Sequence, residues 1–201
     1  MSKDRVEELY DLKPIIYKIR DYISLGKQNP KYLVEMGVTY LYGYLVALEG
    51  VASYFDEQFR EVLSEMMGKL EQINANYIES KDPTMYVPMS YEIDALEKWV
   101  NSLCEKEYMI KRADFAYSFV STLQYVEEKI EMGSPSLDDV YSLYGLVSAL
   151  DLVEYCRQID QFRVLVHNFE AYSSSWPAKF ALHELQESLR LLLKGQRKLA
   201  A

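Results

Sequence analysis

The stretches "LYGYLVALE" at 41–49 and "LYGLVSALD" at 143–151 decide the fold, because one chain of 201 residues carries nearly the same nonapeptide twice. Five of the nine residues are identical in place, and each copy ends in a carboxylate, Glu49 or Asp151. Both copies have the apolar spacing of a helix and are apolar over most of the circumference. The sequence therefore predicts two matched helices that occupy central positions.

A second match follows the first one. Gln58-Phe59-Arg60 recurs as Gln161-Phe162-Arg163, with a spacing one residue longer than that of the nonapeptides. The extra residue falls between two helices, where a connection tolerates an insertion. We interpret the two matches as an internal duplication with a period of about 100 residues. This period is too long for a solenoid, and two copies are too few for one. Coincidence in a chain rich in Tyr and Leu is the alternative interpretation.

Each nonapeptide carries a glycine inside its helix, at Gly43 and Gly145. Glycine in a helix interior costs about 1 kcal/mol relative to alanine. We therefore expect the missing side chain to allow close packing of the central helices. One arrangement that would use both glycines packs the two central helices against each other. The alternative is that both glycines are merely tolerated.

Proline and glycine divide the chain into segments with helical rather than alternating periodicity. We predict an all-α helical bundle of about eight helices, arranged as two pseudo-symmetric four-helix units. The expected helices span about 12–25, 30–55, 56–78, 90–104, 112–132, 136–157, 158–172 and 177–194. Gly26 is expected to end the first helix, Asn29 and Pro30 to begin the second, and Ser136 with Asp139 to begin the sixth.

We expect one compact domain with three parts. A first helical unit covers 1–82, a linker with two prolines covers 83–89, and the fourth helix with the second unit covers 90–197. The last residues, 198–201, are typical of a vector-derived tail and are left out of the fold prediction.

Composition excludes several function classes. A net charge of −9 argues against direct nucleic-acid binding, which requires clustered Lys and Arg. The sequence lacks an apolar run of membrane-spanning length and an N-terminal signal, so we expect a cytoplasmic protein without membrane contact. Cys104 and Cys156 lie in apolar helical segments without metal-ligand spacing, so we expect them to be buried, and we expect no cofactor and no metal.

The matched carboxylates Glu49 and Asp151 are candidates for ion pairs with the matched Arg60 and Arg163. A charge on an apolar helix is costly unless it is paired, and exposure at the helix edge is the alternative. A helical di-metal site would instead require Glu-x-x-His pairs, which neither histidine forms.

The segment "QFRVLVHNFEAY" at 161–172 places Arg163 and His167 on one helical face. It resembles in part the Arg-x(4–6)-His motif of HEPN ribonucleases, a family of small helical bundles that cleave RNA. Three residues separate Arg163 from His167 and nine separate Arg157 from it, so the spacing departs from that motif. The resemblance implies a catalytic role for Arg163 and His167; a packed or half-exposed histidine is the alternative.

Tyrosine is abundant, with 18 residues, and Tyr40, Tyr42, Tyr44 and Tyr144 fall in or beside the nonapeptides. Tyrosine is enriched at protein interfaces and in ligand pockets, although partial burial at helix boundaries would explain the same count. We predict a non-enzymatic interaction, regulatory or assembly protein whose partner is another protein or a second copy, as in a homodimer. The alternatives are an RNA-cleaving or metal-dependent helical enzyme and a small-ligand sensor with a pocket between the units.

Overall fold

A computed structural model describes residues 8–33, 37–78, 89–132, 137–154 and 158–172, together with isolated helical positions at 187, 190, 191, 194, 195 and 198. Within these residues the chain is mostly helical, as predicted. The α-helices are α1 (Lys13–Gln28), α2 (Pro30–Tyr32), α3 (Val38–Val51), α4 (Glu57–Ile73), α5 (Met89–Cys104), α6 (Arg112–Met132), α7 (Leu137–Val153) and α8 (Gln158–Tyr172). A short 3-10 helix, Ala52–Tyr54, follows α3, and a π-helix, Asn74–Ile78, follows α4.

A two-stranded antiparallel ribbon corrects the all-α prediction. Strand β1 (Leu9–Asp11) pairs with β2 (Met109–Lys111), with Tyr10 opposite Ile110. The middle residue of each strand is buried and its two neighbours are exposed. Three-residue strands are too short to show the alternation that identifies a strand in a sequence, which is why the ribbon was missed.

The predicted helix bounds hold where local signals define them. The fifth and seventh predicted helices match α6 and α8 at both ends. Asp56 caps α4, because its Oδ1 accepts a 2.9 Å hydrogen bond from the amide of Phe59. Helix α4 is amphipathic, and it buries apolar residues of the stripe that we expected from Phe59 to Ile73.

Gly26 does not end the first helix as predicted. Helix α1 continues to Gln28, and Gly26 is buried within it. A Cβ at Gly26 would lie 3.0 Å from the Cβ of Leu33, so this glycine provides space for a side chain from the next segment. The glycine at this position is therefore explained by its contact with Leu33 and not by a helix end.

Helices α3 and α7 lie at the centre of the core and pack closely against each other. Helix α1 packs on α5, α3 and α7, while α4 packs on α3 and α8 packs on α7. One continuous apolar cluster includes residues of both strands and of every α-helix except the three-residue α2. The central position that we predicted for both nonapeptide helices therefore follows from their nearly uniform burial.

Helix α5 packs on α1 and α4, so it lies beside helices of the first unit. The proposed linker at 83–89 lies outside the described residues except for Met89, which begins α5. Several other predictions also fall outside the described residues. They concern Cys156, the helix start at Ser136, most of the expected helix at 177–194 and most of the tail at 198–201. Cys104 is partly buried with a free thiol, and burial raises its pKa.

Within the described part of the chain, none of the helices combines the length and apolar character needed to cross a lipid bilayer.

Candidate functional site

The two repeated glycines lie against each other where α3 and α7 cross. A Cβ at Gly43 would lie 2.4 Å from the carbonyl oxygen of Ser142 and 2.8 Å from the Cα of Gly145. A Cβ at Gly145 would lie 2.6 Å from the carbonyl oxygen of Tyr40. Side-chain carbons essentially never approach backbone atoms so closely. The helix backbones therefore touch at a point where only glycine fits on both sides.

The tyrosines of α3 lie on two different sides of this crossing. On one side, rings from α1, α3 and α7 form a tyrosine cluster with neighbouring centroids 5.1 to 6.4 Å apart. Its members are Tyr22, Tyr40, Tyr44, Tyr141 and Tyr144. Burial raises the pKa of Tyr22 to about 12 and also raises the pKa of Tyr44. Tyr44 is buried and the other four rings are half-buried against one another.

On the other side of α3, a groove of about 690 Å³ opens between α3, α6 and α7. We call it the α3–α6–α7 groove. Its volume lies within the range of 300 to 1,000 Å³ that is typical of small-molecule sites. It is lined by Tyr42, Val46, Glu49, Gly50, Ser53, Tyr54, Tyr117, Ser118, Ser121, Thr122, Asp139, Ser142 and Leu146.

Small residues keep the groove open. A Cβ at Gly50 would lie 2.8 Å from the Oγ1 of Thr122, so a side chain at this position would press against α6. Ser142 and Thr122 are half-buried and fill little volume, while Leu146 is buried at the base. Tyr54 and Tyr117 are 45% and 64% exposed, so their rings border the groove on its solvent side.

Two hydroxyl groups of α6 present acceptor oxygens. Ser121 Oγ donates to the carbonyl oxygen of Tyr117 at 3.2 Å, and Thr122 Oγ1 donates to the carbonyl oxygen of Ser118 at 3.1 Å. A hydroxyl whose single proton is used in this way can still accept through its lone pairs. These two oxygens can therefore accept hydrogen bonds from a ligand.

Two carboxylates line the same groove, Glu49 of α3 and Asp139 of α7, and both are exposed. Among the ion pairs of the described residues, none joins Glu49 to Arg60, contrary to the pairing that we considered. Arg60 lies on α4 near Asp56 and contributes to lowering the pKa of that carboxyl, after the larger effects of the Phe59 amide and Lys106. Glu49 thus has the alternative role, exposure at the helix edge.

A smaller cavity of about 190 Å³ brings Arg163 and His167 together with Tyr40, Tyr144 and Val166. Arg163 Nε donates to the Tyr144 hydroxyl at 3.0 Å, and Arg163 also pairs with the neighbouring Asp160 at 3.1 Å. The bond to Tyr144 is the largest cause that raises the pKa of Arg163; the charge of Asp151 contributes less. His167 is exposed. This cavity is smaller than typical small-molecule sites.

A polar network anchors the ribbon to the end of α7. The Tyr10 hydroxyl donates to Glu154 at 2.6 Å, and Arg112 pairs with both Glu154 and Glu8. Burial, followed by the hydrogen bond to Glu154, raises the pKa of Tyr10. These contacts join β1, the start of α6 and the end of α7, while the buried Nε of Arg112 has no hydrogen-bond partner among the described residues.

Among the groove residues, Tyr42 was predicted as an interface or packing residue and Glu49 as an ion-pair candidate, whereas the residues of α6 were not predicted. Tyr117, Ser118, Ser121 and Thr122 follow the i, i+1, i+4, i+5 spacing of one helix face, and Asp139 was noted only as part of a helix start. This spacing places the four residues on one face, but α6 is also polar elsewhere, so the sequence does not distinguish a groove-lining face from a solvent-facing one.

The described residues contain no group of three or more His, Cys, Asp and Glu side chains arranged to hold a metal ion. Comparison of the chain with protein-family models, with curated proteins and with solved structures finds no match.

Proposed function

We propose that the protein is a non-enzymatic, duplicated helical protein that binds a small ligand in the α3–α6–α7 groove. The observation that carries the proposal is the groove itself, with a volume of about 690 Å³ and a lining of tyrosines, hydroxyls and two carboxylates. A pocket that combines apolar walls with a few convergent polar groups is the usual form of a small-molecule site.

Packing supports the internal duplication. The amide of Leu12 donates to the carbonyl of Tyr108 at 3.0 Å, and the amide of Arg112 donates to the carbonyl of Glu8 at 2.9 Å. The two bonds are equivalent under an offset of 100 residues, because position 12 corresponds to 112 and position 8 to 108. Helix α1 packs on α7 as α6 packs on α3, and both units contain a strand followed by three long helices, the first unit having in addition the three-residue α2.

The duplication also explains where the groove lies. With an offset of 100 for α1 and α6, Tyr22 corresponds to Thr122. With the nonapeptide offset of 102, Tyr40 corresponds to Ser142 and Tyr44 to Leu146. The three tyrosines fill the space on one side of the crossing, while their smaller counterparts line the groove on the other. The groove thus occupies the position that is equivalent to the tyrosine cluster, and it is open because its side chains are smaller.

Blocking the groove tests the proposal. Ligand-observed NMR with a diverse set of small metabolites should give binders, and Ser142→Tyr should abolish their binding by filling the groove. Ser64→Tyr makes the same exchange at an exposed position of α4 and should leave binding unchanged. Ser121→Trp, at an exposed groove position, is a second blocking variant should Ser142→Tyr fail to fold. Binders unaffected by both blocking variants, or a complete lack of binders, would contradict the proposal.

RNA cleavage by Arg163 and His167 is a second candidate, favoured by their common cavity with the Tyr144 hydroxyl. A positioned general acid or base contributes about 10²- to 10⁴-fold to a rate. Labelled single-stranded RNA should then be cut by the wild type and at least about 100-fold more slowly by His167→Ala. A wild-type protein that leaves RNA intact excludes this function.

A protein partner or homodimer stays a prediction. Tyr44 is buried, whereas Tyr40 and Tyr144 are half-buried against neighbouring rings and keep part of their surface accessible. Light scattering of the purified chain measures self-association directly.

A further inference from the structure

The contacts at the glycine crossing are reciprocal. A Cβ at Gly43 would lie 2.4 Å from the carbonyl oxygen of Ser142, and a Cβ at Gly145 would lie 2.6 Å from the carbonyl oxygen of Tyr40. Positions 40 and 142 correspond under the nonapeptide offset of 102, so the two contacts are equivalent. Tyr40 and Ser142 therefore hold equivalent positions on the two sides of the crossing.

Phenol rings fill the space on the Tyr40 side. The ring centroid of Tyr40 lies 5.1 Å from that of Tyr144 in an edge-on pair and 6.4 Å from that of Tyr22 in a stacked pair. Tyr44 adds a ring 5.8 Å from Tyr22. Attractive aromatic pairs have spacings and orientations of this kind. This side of the crossing thus accommodates several uncharged phenol rings in contact with one another.

The groove side retains one ring of this arrangement. Tyr42 corresponds to Tyr144 under the same offset, and it lines the groove. The counterparts of the other three tyrosines carry no ring; they are Thr122, Ser142 and Leu146. A volume of about 690 Å³ is that of a site for a drug-sized molecule rather than for a single ring. The groove therefore lies where the other side holds phenol rings, and it admits more than one.

Aromatic surface also borders the groove on its solvent side. Tyr54 and Tyr117 line it and are exposed, so their rings can contact a ligand while the core stays unchanged. The hydroxyl oxygens of Ser121 and Thr122 can accept hydrogen bonds, and a phenol hydroxyl donates one. None of the lining residues that the structure describes is Lys, Arg or His, so an aromatic acid finds no counter-charge there.

We propose that the ligand of the α3–α6–α7 groove is an uncharged aromatic compound with two linked phenol-sized rings. The inference rests on the proposed function and on the equivalence of the two sides of the crossing, and it specifies the chemical class of the ligand. One ring lies beside Tyr42, at the position equivalent to the ring of Tyr40. The second ring lies against Tyr54 and Tyr117, and a phenol hydroxyl donates to Oγ1 of Thr122.

Three uncharged probes separate aromatic character from ring number. Bisphenol A has two phenol rings joined through one carbon, its hydrogenated form keeps the skeleton and both hydroxyls but has saturated rings, and p-cresol has one phenol ring. In isothermal titration calorimetry of the full chain, bisphenol A should bind at least tenfold more tightly than its hydrogenated form, because aromatic pairs contribute beyond the area that they bury. It should also bind at least tenfold more tightly than p-cresol, because the second ring buries further apolar area.

Removing the bordering rings locates the site. The double variant Tyr54→Leu, Tyr117→Leu keeps apolar side chains without aromatic faces, and it should lower the preference for bisphenol A over its hydrogenated form at least threefold. The control Tyr17→Leu, Tyr91→Leu exchanges two exposed tyrosines outside the groove and should leave the preference unchanged. Circular dichroism checks that both variants fold.

The outcomes distinguish the ligand class from the function. Equal binding of bisphenol A and its hydrogenated form, with both blocked by Ser142→Tyr, would overturn the aromatic ligand while the groove remained a ligand site. Equal binding of p-cresol and bisphenol A would overturn the two-ring ligand. If none of the three probes binds, the ligand class is wrong, and the proposed function then depends on the metabolite screen. Binding of bisphenol A that neither Ser142→Tyr nor Ser121→Trp weakens, or a preference lowered equally by the Tyr17 and Tyr91 control, would contradict the site.

Discussion

Replacing Gly43 by alanine tests the close contact of α3 and α7. The added Cβ would lie 2.4 Å from the carbonyl oxygen of Ser142 and 2.8 Å from both the Cα of Gly145 and the amide nitrogen of Leu146. All three are backbone atoms, so no flexible side chain can move aside. Ordinary contact begins at 3.4 Å, and the helices must therefore separate by about 1 Å.

Two opposing effects set the magnitude. Alanine is favoured over glycine in a helix by about 1 kcal/mol, which stabilises the variant. Overpacking of a well-packed core costs about 1 to 3 kcal/mol, and separating two central helices loses contacts along their length. We expect overpacking to dominate, with a net loss of about 1 to 2 kcal/mol in the free energy of unfolding.

Gly68→Ala is the matched control. Gly68 lies inside α4, and a Cβ there would meet no atom within 4 Å. This variant should gain up to about 1 kcal/mol from helix propensity alone. Urea denaturation followed by circular dichroism gives both values, with an unchanged m-value as evidence that the unfolded state is the same.

The double variant Gly43→Ala, Gly145→Ala gives a further test. Both new side chains would occupy the same crossing, so once the helices have separated for one, the second costs less than it does alone. A Gly43→Ala protein as stable as the wild type, or stabilised as much as Gly68→Ala, would refute the reasoning.

Three further predictions concern stability. Asp56→Ala should cost about 1 kcal/mol in urea denaturation because it removes the cap on the amide of Phe59. The lowered pKa of Asp56 means that its contribution is present above its ordinary pKa and is lost as pH falls through the lower folded value, so the stability difference between wild type and Asp56→Ala should shrink over this pH range in parallel acid titrations. Tyr10→Phe should cost about 1 to 3 kcal/mol, because the part-buried Glu154 loses a 2.6 Å hydrogen bond; an unchanged unfolding midpoint would be contrary evidence. Tyr22 has a pKa raised to about 12, so its stabilisation is complete below pH 10 and is lost between pH 10 and 12; Tyr22→Phe should flatten this part of the stability profile.

Local patterns were sufficient to predict most helices. The apolar stripe from Phe59 to Ile73 and the cap at Asp56 are properties of short segments, and α4 appears as those segments indicate. The repeated glycines were also visible as an unfavourable residue that recurs in two apolar helices. Such a recurrence pointed to close packing, because helix propensity alone provides no reason for it.

Features that depend on distant residues could not be predicted in the same way. Gly26 accommodates Leu33, and β1 exists only because β2 pairs with it from 100 residues away. The groove depends on which small side chains from α3, α6 and α7 meet, and residues such as Ser121 and Thr122 carry no motif. Serine and threonine on a helix have the same local pattern whether they face solvent or a cavity.

The ribbon has a consequence for biosynthesis. Because β1 leaves the ribosome about 100 residues before β2, it emerges without its hydrogen-bonding neighbour, and α3 emerges long before α7 covers its glycine face. Such non-local pairings form slowly and leave apolar surface accessible during translation. We therefore expect the nascent first half to engage chaperones until the second half is synthesised, and the two halves to recover their structure when they are produced together as separate polypeptides.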